Sequence, residues 1–384
     1  MLSFLYKTSY EQHHSIAVLY SPLAFPPLEI TKYNHNIDRI TLSSQLTRKN
    51  TVKISYYTIW AGLNPAVGFG YAGQHIVKSL QDLGHELSYA NPKADVQINF
   101  TQPHLYKLHK GQYQIGYTPW ESTSMRKDWV ERFNQCDEVW ATSDWCAEVF
   151  KENGVTKPIY VYPHGIEEKW SAVKRSYNED EVFKFLHVGE PSPRKSGQLV
   201  VDTFIKMFGN NPKYQLTLKC HHNHTVRVYD KNGELRLPED VYSNIKVIKD
   251  EMAIEDLVAL HQRHHVLIYP TWGEGFGFIP LQALATGMPV ISTYDWAHYK
   301  KFIGPLKLRS TLTSETLPKA VGDAHVGQMF KPDEKHLEEL MYDSILNFKA
   351  YSGYYFAQST KIHEEYNWIQ LTNNAFDHIF KKFQ

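Results

Sequence analysis

The sequence has no excess of charge of either sign. Lysine plus arginine and aspartate plus glutamate stand at 41 each among 384 residues, a formal net charge of zero. That balance argues against a broad, non-specific hold on nucleic acid or acidic polymers and leaves only local patches for such roles. Cysteine is scarce. Cys136, Cys146 and Cys220 are odd in number and widely spaced, which argues against a disulfide framework and fits a reducing cytoplasm. No apolar run reaches the ~18 residues of a membrane span, and the first residues lack the basic-then-apolar layout of a secretory signal. The expectation is therefore a cytoplasmic chain, with peripheral contact with a membrane left open. Internal repeats and low-complexity segments are missing as well.

Apolar residues make up 42% of the chain, ample for buried cores, and the length suggests two domains. Aromatic residues reach 14%, with 25 tyrosines. Aromatic-rich clefts suit sugars and bases, although most such rings belong to cores. Residues 1–50 read as a segment packed on the first domain, with a strand over 15–20. From 51 to 166 strands alternate with helices. Val52 to Trp60 is a strand, 61–70 a glycine-rich loop and 71–83 a helix stopped by Gly84. Further strands fall at 85–89, 96–100, 113–118, 138–141 and 159–162. The charged stretch 167–182 reads as a linker, and the alternation restarts over 183–360. The last segment, 361–384, carries an amphipathic helix with Ile369, Ala375, Phe376, Ile379 and Phe383 on one face. This pattern predicts an α/β protein with two doubly wound, Rossmann-like domains facing a cleft.

The most informative stretch runs from Tyr269 to Ser292. An apolar strand enters a glycine turn, a helix follows, and Gly287-Met288-Pro289 leads to a second strand, which makes one βαβ unit. The turn holds one acid, Glu274, among glycines. It also leaves the amides of Gly275, Phe276, Gly277 and Phe278 at a helix start, which is an anion-binding arrangement. In the same domain, Gly189 to Gly197 follows the first strand and carries Arg194 and Lys195, two cations suited to a diphosphate.

The Tyr269–Ser292 stretch resembles the donor signature of the retaining glycosyltransferases of family 4 and their relatives, E-G-F-G-x-x-x-x-E followed by A-x-x-x-G-x-P-V-I. Glu274 to Gly277 match, as do Ala283 to Ile291. Gln282 stands where the signature has its second acid. The resemblance, which covers roughly 52 to 384, implies a glycosyltransferase-B fold whose last helix crosses back to the first domain. It implies a nucleotide diphosphate sugar as co-substrate, with no other cofactor and no metal. Arg194 and Lys195, on a loop that ends R-K-G in the family and here has Ser196 inserted before Gly197, would hold the diphosphate. Glu274 would bind sugar hydroxyls, Gln282 would face the nucleotide ribose, and Met252 would line the base pocket.

On the first domain, Pro119-Trp120-Glu121 ends a strand facing the expected cleft. Trp120 suits stacking on a sugar, and Glu121 suits positioning of an acceptor hydroxyl. Relatives place a histidine near here, and this segment has none. His164-Gly165 matches the family's turn at the end of the first domain and reads as a hinge. Gly68-Phe69-Gly70-Tyr-Ala-Gly73 has dinucleotide-motif spacing. The strand-to-glycine loop is too long for that fold, and no acid ends the next strand. The better reading is a glycine loop bordering phosphate and acceptor. Cys220-His-His-Asn-His224 looks like metal ligands but lacks a spaced partner pair, and Asp230 to Glu234 reads as a hairpin turn. The expected activity is sugar transfer to an acceptor that the sequence leaves open among glycan, lipid, protein and modified nucleic acid. A nucleotide-sugar-binding protein without transfer and an NAD-dependent oxidoreductase remain the alternatives.

Overall fold

The structure is a computed structural model that describes residues 52–59, 68–190, 192–220, 225–314 and 325–383. The expected strand at 15–20 and the packing of 1–50 lie outside them. The first lobe runs β1 (Lys53–Tyr57), α1 (Gly68–Asp82), β2 (Glu86–Tyr89), β3 (Val96–Phe100), β4 (Tyr113–Tyr117), α2 (Lys127–Phe133), β5 (Glu138–Ala141), α3 (Asp144–Glu152) and β6 (Ile159–Val161). Its strands form one parallel sheet in the order β2-β1-β3-β4-β5-β6. Every residue of β3 and β5 is buried, as expected for parallel strands covered on both faces. Gly84 ends the first helical segment in a left-handed conformation, φ 85°, which a side chain would resist.

The second lobe continues with β7 (Phe183–Val188), α4 (Gly197–Phe208), β8 (Tyr214–Lys219), β9 (Val228–Tyr229), β10 (Leu235–Arg236), α5 (Pro238–Val241), β11 (Ile245–Ile248), α6 (Ile254–Gln262), β12 (Val266–Tyr269), α7 (Phe278–Ala285) and β13 (Val290–Ser292). Its parallel sheet has the order β11-β8-β7-β12-β13, a doubly wound arrangement whose strand order reverses beside β7. Then come α8 (Lys300–Ile303), β14 (Ser310–Thr313), β15 (Met329–Pro332), α9 (Glu334–Leu346), α10 (Phe348–Glu365) and α11 (Trp368–Phe383). The β9–β10 hairpin turns at Asp230–Glu234, as expected. Its turn is held by the Asp230 carboxylate, which accepts from the backbone of Asn232 (2.8 Å) and Glu234 (2.9 Å). Helix α10 and the β14–β15 pair have no counterpart in the sequence reading.

Two connections join the lobes. Helix α11 packs on α1, and its Trp368, Phe376 and Ile379 belong to the first lobe's core. Tyr162 and Thr372 share a hydroxyl hydrogen bond of 2.6 Å across this contact. The stretch 167–182 is anchored as well as charged. Arg175 is largely buried, and its guanidinium donates to the carbonyls of His264 (2.8 Å), Thr286 (2.8 Å) and His261 (3.1 Å). These are the last carbonyls of α6 and α7, where helix dipoles favour a cation. Burial without a carboxylate partner lowers the guanidinium to about 9.

The cores hold neutral imidazoles. Burial depresses His164 and His264 to about 3, and His187, His261 and His265 to about 4. His265 Nδ1 accepts from the Lys184 amide at 2.8 Å, which requires that nitrogen to be unprotonated. Between those values and the ordinary ~6.5, the unfolded chain binds protons that the folded chain refuses, so stability falls as pH drops below about 6.5. Denaturant unfolding at a series of pH values should show a steep loss between about pH 6 and 4.5, with each histidine adding up to about 1.4 kcal/mol per pH unit. A flat profile there would contradict this account. Arg175→Met should cost about 3 kcal/mol or more, because several buried carbonyls lose their donor. Arg175→Lys should recover only part, since an ammonium cannot span both helix ends. A loss below about 1 kcal/mol for Arg175→Met would remove the argument.

Candidate active site

The βαβ turn and the loop after β7 meet at the C-terminal ends of β7 and β12. In that loop Pro193–Lys195 forms one tight helical turn, and Ser196 adopts φ 57° before α4 begins. This left-handed step at the inserted Ser196 directs the chain so that Arg194 and Lys195 both reach the glycine turn. The two loops also share backbone bonds. Trp272 N donates to Arg194 O (2.9 Å), and Arg194 Nη1 donates to Gly273 O (2.5 Å).

Glu274 is the centre of this arrangement and is only 6% exposed. Its Oε1 faces Arg194 Nη1 at 2.9 Å and Lys195 Nζ at 2.7 Å. The same oxygen accepts from the hydroxyls of Thr271 (2.8 Å) and Tyr269 (3.0 Å). Oε2 accepts from Lys195 Nζ at 2.8 Å. Burial would raise this acid, but the charges of Arg194 and Lys195 outweigh it and hold the carboxyl down at about 2. Burial also pulls the Lys195 ammonium down, and the adjacent carboxylate opposes this. Two cations thus share one buried anion beside the amides that open α7. Such an arrangement suits an anionic ligand.

The glycines are required by what covers them. A Cβ on Gly275 would fall 2.1 Å from Pro119 Cβ, and one on Gly273 would fall 2.5 Å from Glu121 O. Gly277 is left-handed at φ 79° and enclosed by Trp296 and Tyr299. From the first lobe Thr142 Oγ1 donates to Gly275 O, and from the second the Tyr299 hydroxyl donates to Gly277 O. The end of β4 therefore lies directly against the turn. Phe276 packs on His164 (centroids 4.8 Å apart), and Phe278 stacks on the same ring at 5.1 Å.

Other expected site residues lie elsewhere or play different parts. Trp120 is 1% exposed, and its rings are covered by Trp129 and His325, so it offers no face for a sugar. Glu121 does reach the seam, with a carboxylate oxygen 3.6 Å from His325 Nε2. Gln282 is 4% exposed, and its Oε1 has no partner among the described residues. Its amide is within reach of the Tyr71 hydroxyl, which donates to Glu167 Oε2 at 2.5 Å. Met252 is half-buried against the second lobe's core. Gly68, Phe69 and Gly70 do not form a loop: α1 begins at Gly68, so the dinucleotide-like glycines lie inside the helix. His164-Gly165 packs under α11, where a Gly165 Cβ would fall 2.6 Å from Trp368. Of the Cys220–His224 run, residues 221–224 lie outside the described residues. Among the described residues no group of three or more His, Cys, Asp or Glu side chains is placed to hold a metal ion, and no helix is long and apolar enough to cross a membrane. Sequence reasoning missed Tyr269 and Thr271, whose positions before Glu274 on the same strand end were a usable signal. It also missed Tyr71, Glu167 and His325, for which the sequence held none.

No family model matches the chain. A curated relative, the O-antigen chain mannosyltransferase RfbU of Salmonella typhimurium, is 26% identical over 160 residues, 38% of this chain and 42% of that protein. The match thus spans less than half the relative's length. Among solved structures, sucrose-phosphate synthase from Thermosynechococcus elongatus aligns with a TM-score of 0.62 at 12% identity, covering 86% of this chain and 99% of that one. WaaG, a glycosyltransferase involved in lipopolysaccharide biosynthesis, aligns at 0.53 and 13% identity over 85% and 99%. The E. coli trehalose-6-phosphate structure bound with UDP-2-fluoro glucose aligns at 0.53 and 10% identity, over 81% and 77%. With its two doubly wound sheets and its returning C-terminal helix, the chain has the glycosyltransferase-B fold.

Proposed function

We propose that the chain is a retaining glycosyltransferase that moves a hexose or pentose from a nucleotide diphosphate sugar to an acceptor hydroxyl. The observation that carries this reading is the convergence of Arg194 and Lys195 on Glu274, beside the start of α7. The fold supports it, as do the mannosyltransferase name of the curated relative and the UDP-2-fluoro glucose held by a structural neighbour. As the bond from the sugar's anomeric carbon to the leaving phosphate oxygen breaks, negative charge builds on the diphosphate. Arg194, Lys195 and the α7 amides are already in place to receive that charge, which is electrostatic preorganisation. Glu274 Oε2 meets only Lys195 among the described residues, which leaves it capacity for a sugar hydroxyl. The acceptor proton would pass to the leaving phosphate on the same face. No metal or resident cofactor enters this reading, and the scarcity of cysteine supports placing the protein in the cytoplasm.

A nucleotide-sugar-binding protein without transfer is the second reading, and Gln282 is what favours it. A neutral amide gives the ribose hydroxyls no charge-assisted bond. Its neighbour Glu167 explains the neutrality, because two carboxylates sharing the Tyr71 hydroxyl would repel.

A thermal-shift screen against UDP, GDP, ADP, CDP and their sugars should find at least one stabiliser. A ligand at 100 times its dissociation constant adds about 2.7 kcal/mol. No shift with any of them would overturn the proposal. Lys195→Ala should then weaken donor binding or turnover by about tenfold, the worth of one charge-assisted contact, and unchanged kinetics would reject the assigned role. Gln282→Glu should destabilise the protein by about 2 kcal/mol at neutral pH and less at acid pH, where the new acid is protonated. A variant as stable as the parent that also binds nucleotide more tightly would show that Glu167 does not bar an acid there.

A further inference from the structure

A cleft of about 200 Å³ opens between the 167–182 connection and α10, lined by Lys174, Arg175, Lys349, Ser352, Gly353 and Phe356. It lies at the end of α7 opposite the glycine turn. Arg175 bonds there to the Thr286 carbonyl, and a Gly287 Cβ would fall 3.1 Å from Phe356 Cα. Ser352 Oγ donates to Arg175 O at 2.7 Å, which fastens the connection to α10 along one side of the cleft. No residue of the Glu274 cluster lines it, so what it binds is independent of the transferase reading.

Three of the six lining residues are cations and none is an acid. Arg175 spends its five N–H groups on four backbone carbonyls and the Thr286 hydroxyl. Its hydrogen bonds are satisfied, but its charge is not, since no carboxylate among the described residues pairs with it. Buried charges ordinarily have a counter-charge. Lys174 sets its ammonium 5.6 Å from the Phe356 ring centroid. Lys349 stands in the first turn of α10, where the helix dipole favours an anion. Among the described residues neither lysine has an acidic partner. Gly353 keeps the cleft open. Glycine inside a helix weakens it, yet here the backbone is not left-handed and a Cβ would meet nothing within 4 Å. Neither backbone nor packing demands glycine, and a longer side chain at 353 is free to enter the cleft.

We infer that this cleft binds a free phosphate monoester, its phosphate oxygens on Lys174 and Lys349 beside the Arg175 charge and its organic part against Phe356 and Gly353. A phosphate monoester carries nearly two negative charges and three acceptor oxygens at neutral pH, so it answers three cations better than a carboxylate does. The cleft holds several water volumes, more than a bare phosphate fills. The half-buried Phe356 gives the remainder an apolar wall. Bound there, the ligand joins the connection to α10 through charge as well as through the Ser352 bond.

Isothermal titration calorimetry of the full chain at fixed ionic strength, with phenyl phosphate, inorganic phosphate and benzoate, tests this. Co-sedimentation with vesicles of phosphatidylcholine and phosphatidic acid runs beside it. Phenyl phosphate should bind most tightly, inorganic phosphate more weakly and benzoate weakest. Lys174→Ala and Lys349→Ala should each weaken phenyl phosphate by about fivefold, less than a buried charge-assisted contact would give. Both side chains are exposed, so neither change endangers folding. Gly353→Ala should leave binding intact. Gly353→Glu should abolish it, and should raise the thermal midpoint above that of Gly353→Ala by supplying the missing acid. Absence of binding by both soluble phosphates would overturn the inference. Benzoate binding as tight as that of phenyl phosphate would overturn the ligand class. Phosphate binding that the lysine variants and Gly353→Glu all leave unchanged would also overturn it, and would place the anion at the Glu274 cluster. Binding to phosphatidic acid vesicles without binding of either soluble phosphate would do so too, and would make the cleft a lipid contact.

Discussion

The seam between the lobes depends on a run of backbone that has no room for side chains. A Cβ on Gly275 would overlap Pro119, and one on Gly273 would overlap Glu121 O. Because neither exists, the end of β4 lies against the turn after β12. The Gly275 carbonyl then receives the Thr142 hydroxyl from the first lobe. The same absence lets the turn bend back toward the loop after β7, where Arg194 bonds to the Gly273 carbonyl. One constraint thus sets both the distance between the lobes and the placement of the charged cluster. A residue larger than glycine at 275 would have to push Pro119 away, and Glu121 and Trp120 would move with it.

The chain that joins the lobes reinforces this arrangement from the other side. Arg175 fixes the connecting stretch to the ends of α6 and α7, so the linker is anchored to the helix that leaves the glycine turn. Helix α11 returns to the first lobe, and its Trp368 fills the space above Gly165. Trp368 and Phe278 both lie against His164, stacked at 5.8 and 5.1 Å. The turn at His164-Gly165, the returning helix and the first residue of α7 therefore meet on one buried imidazole, which ties the end of the first lobe to the start of α7.

Much of this was legible in the sequence. Val266–Tyr269 reads as the short apolar run of a parallel strand buried on both faces, whereas 96–100 and 183–188 were recognisable from β-branched and aromatic residues interleaved with polar ones. The glycine turn, Arg194, Lys195 and Glu274 were legible from the signature spacing they match and from their place in loops that follow strands. Helix α10 was not. Its buried face is Phe348, Ser352, Tyr355, Ser359 and Ile362, so three of these five bear hydroxyls and no continuous apolar stripe shows. The start of α1 was misplaced for a similar reason, since Gly68 and Gly70 look like a loop and are helical through tertiary context. The covering of Trp120 by His325 could not be read at all. It depends on strand pairing between Ser310–Thr313 and Met329–Pro332, and then on where that pair docks. Residue types along the chain do not encode either step locally.

The charge arrangement at Glu274 bears on how such a site stays competent without its ligand. Two buried cations left bare would be costly, and burial would drive Lys195 toward its neutral form. The Glu274 carboxylate, held ionised with help from the Thr271 and Tyr269 hydroxyls, keeps Lys195 charged at 2.7 Å. An arriving diphosphate then meets an ammonium that already carries its proton and already has its position. Lys195 spends its three donors on the two Glu274 oxygens and the Tyr269 hydroxyl, so an arriving diphosphate has to draw one of those bonds to itself. Without Glu274, Lys195 would lose the charge that opposes its burial and the two bonds that fix its position, and only an anionic ligand could take over both parts.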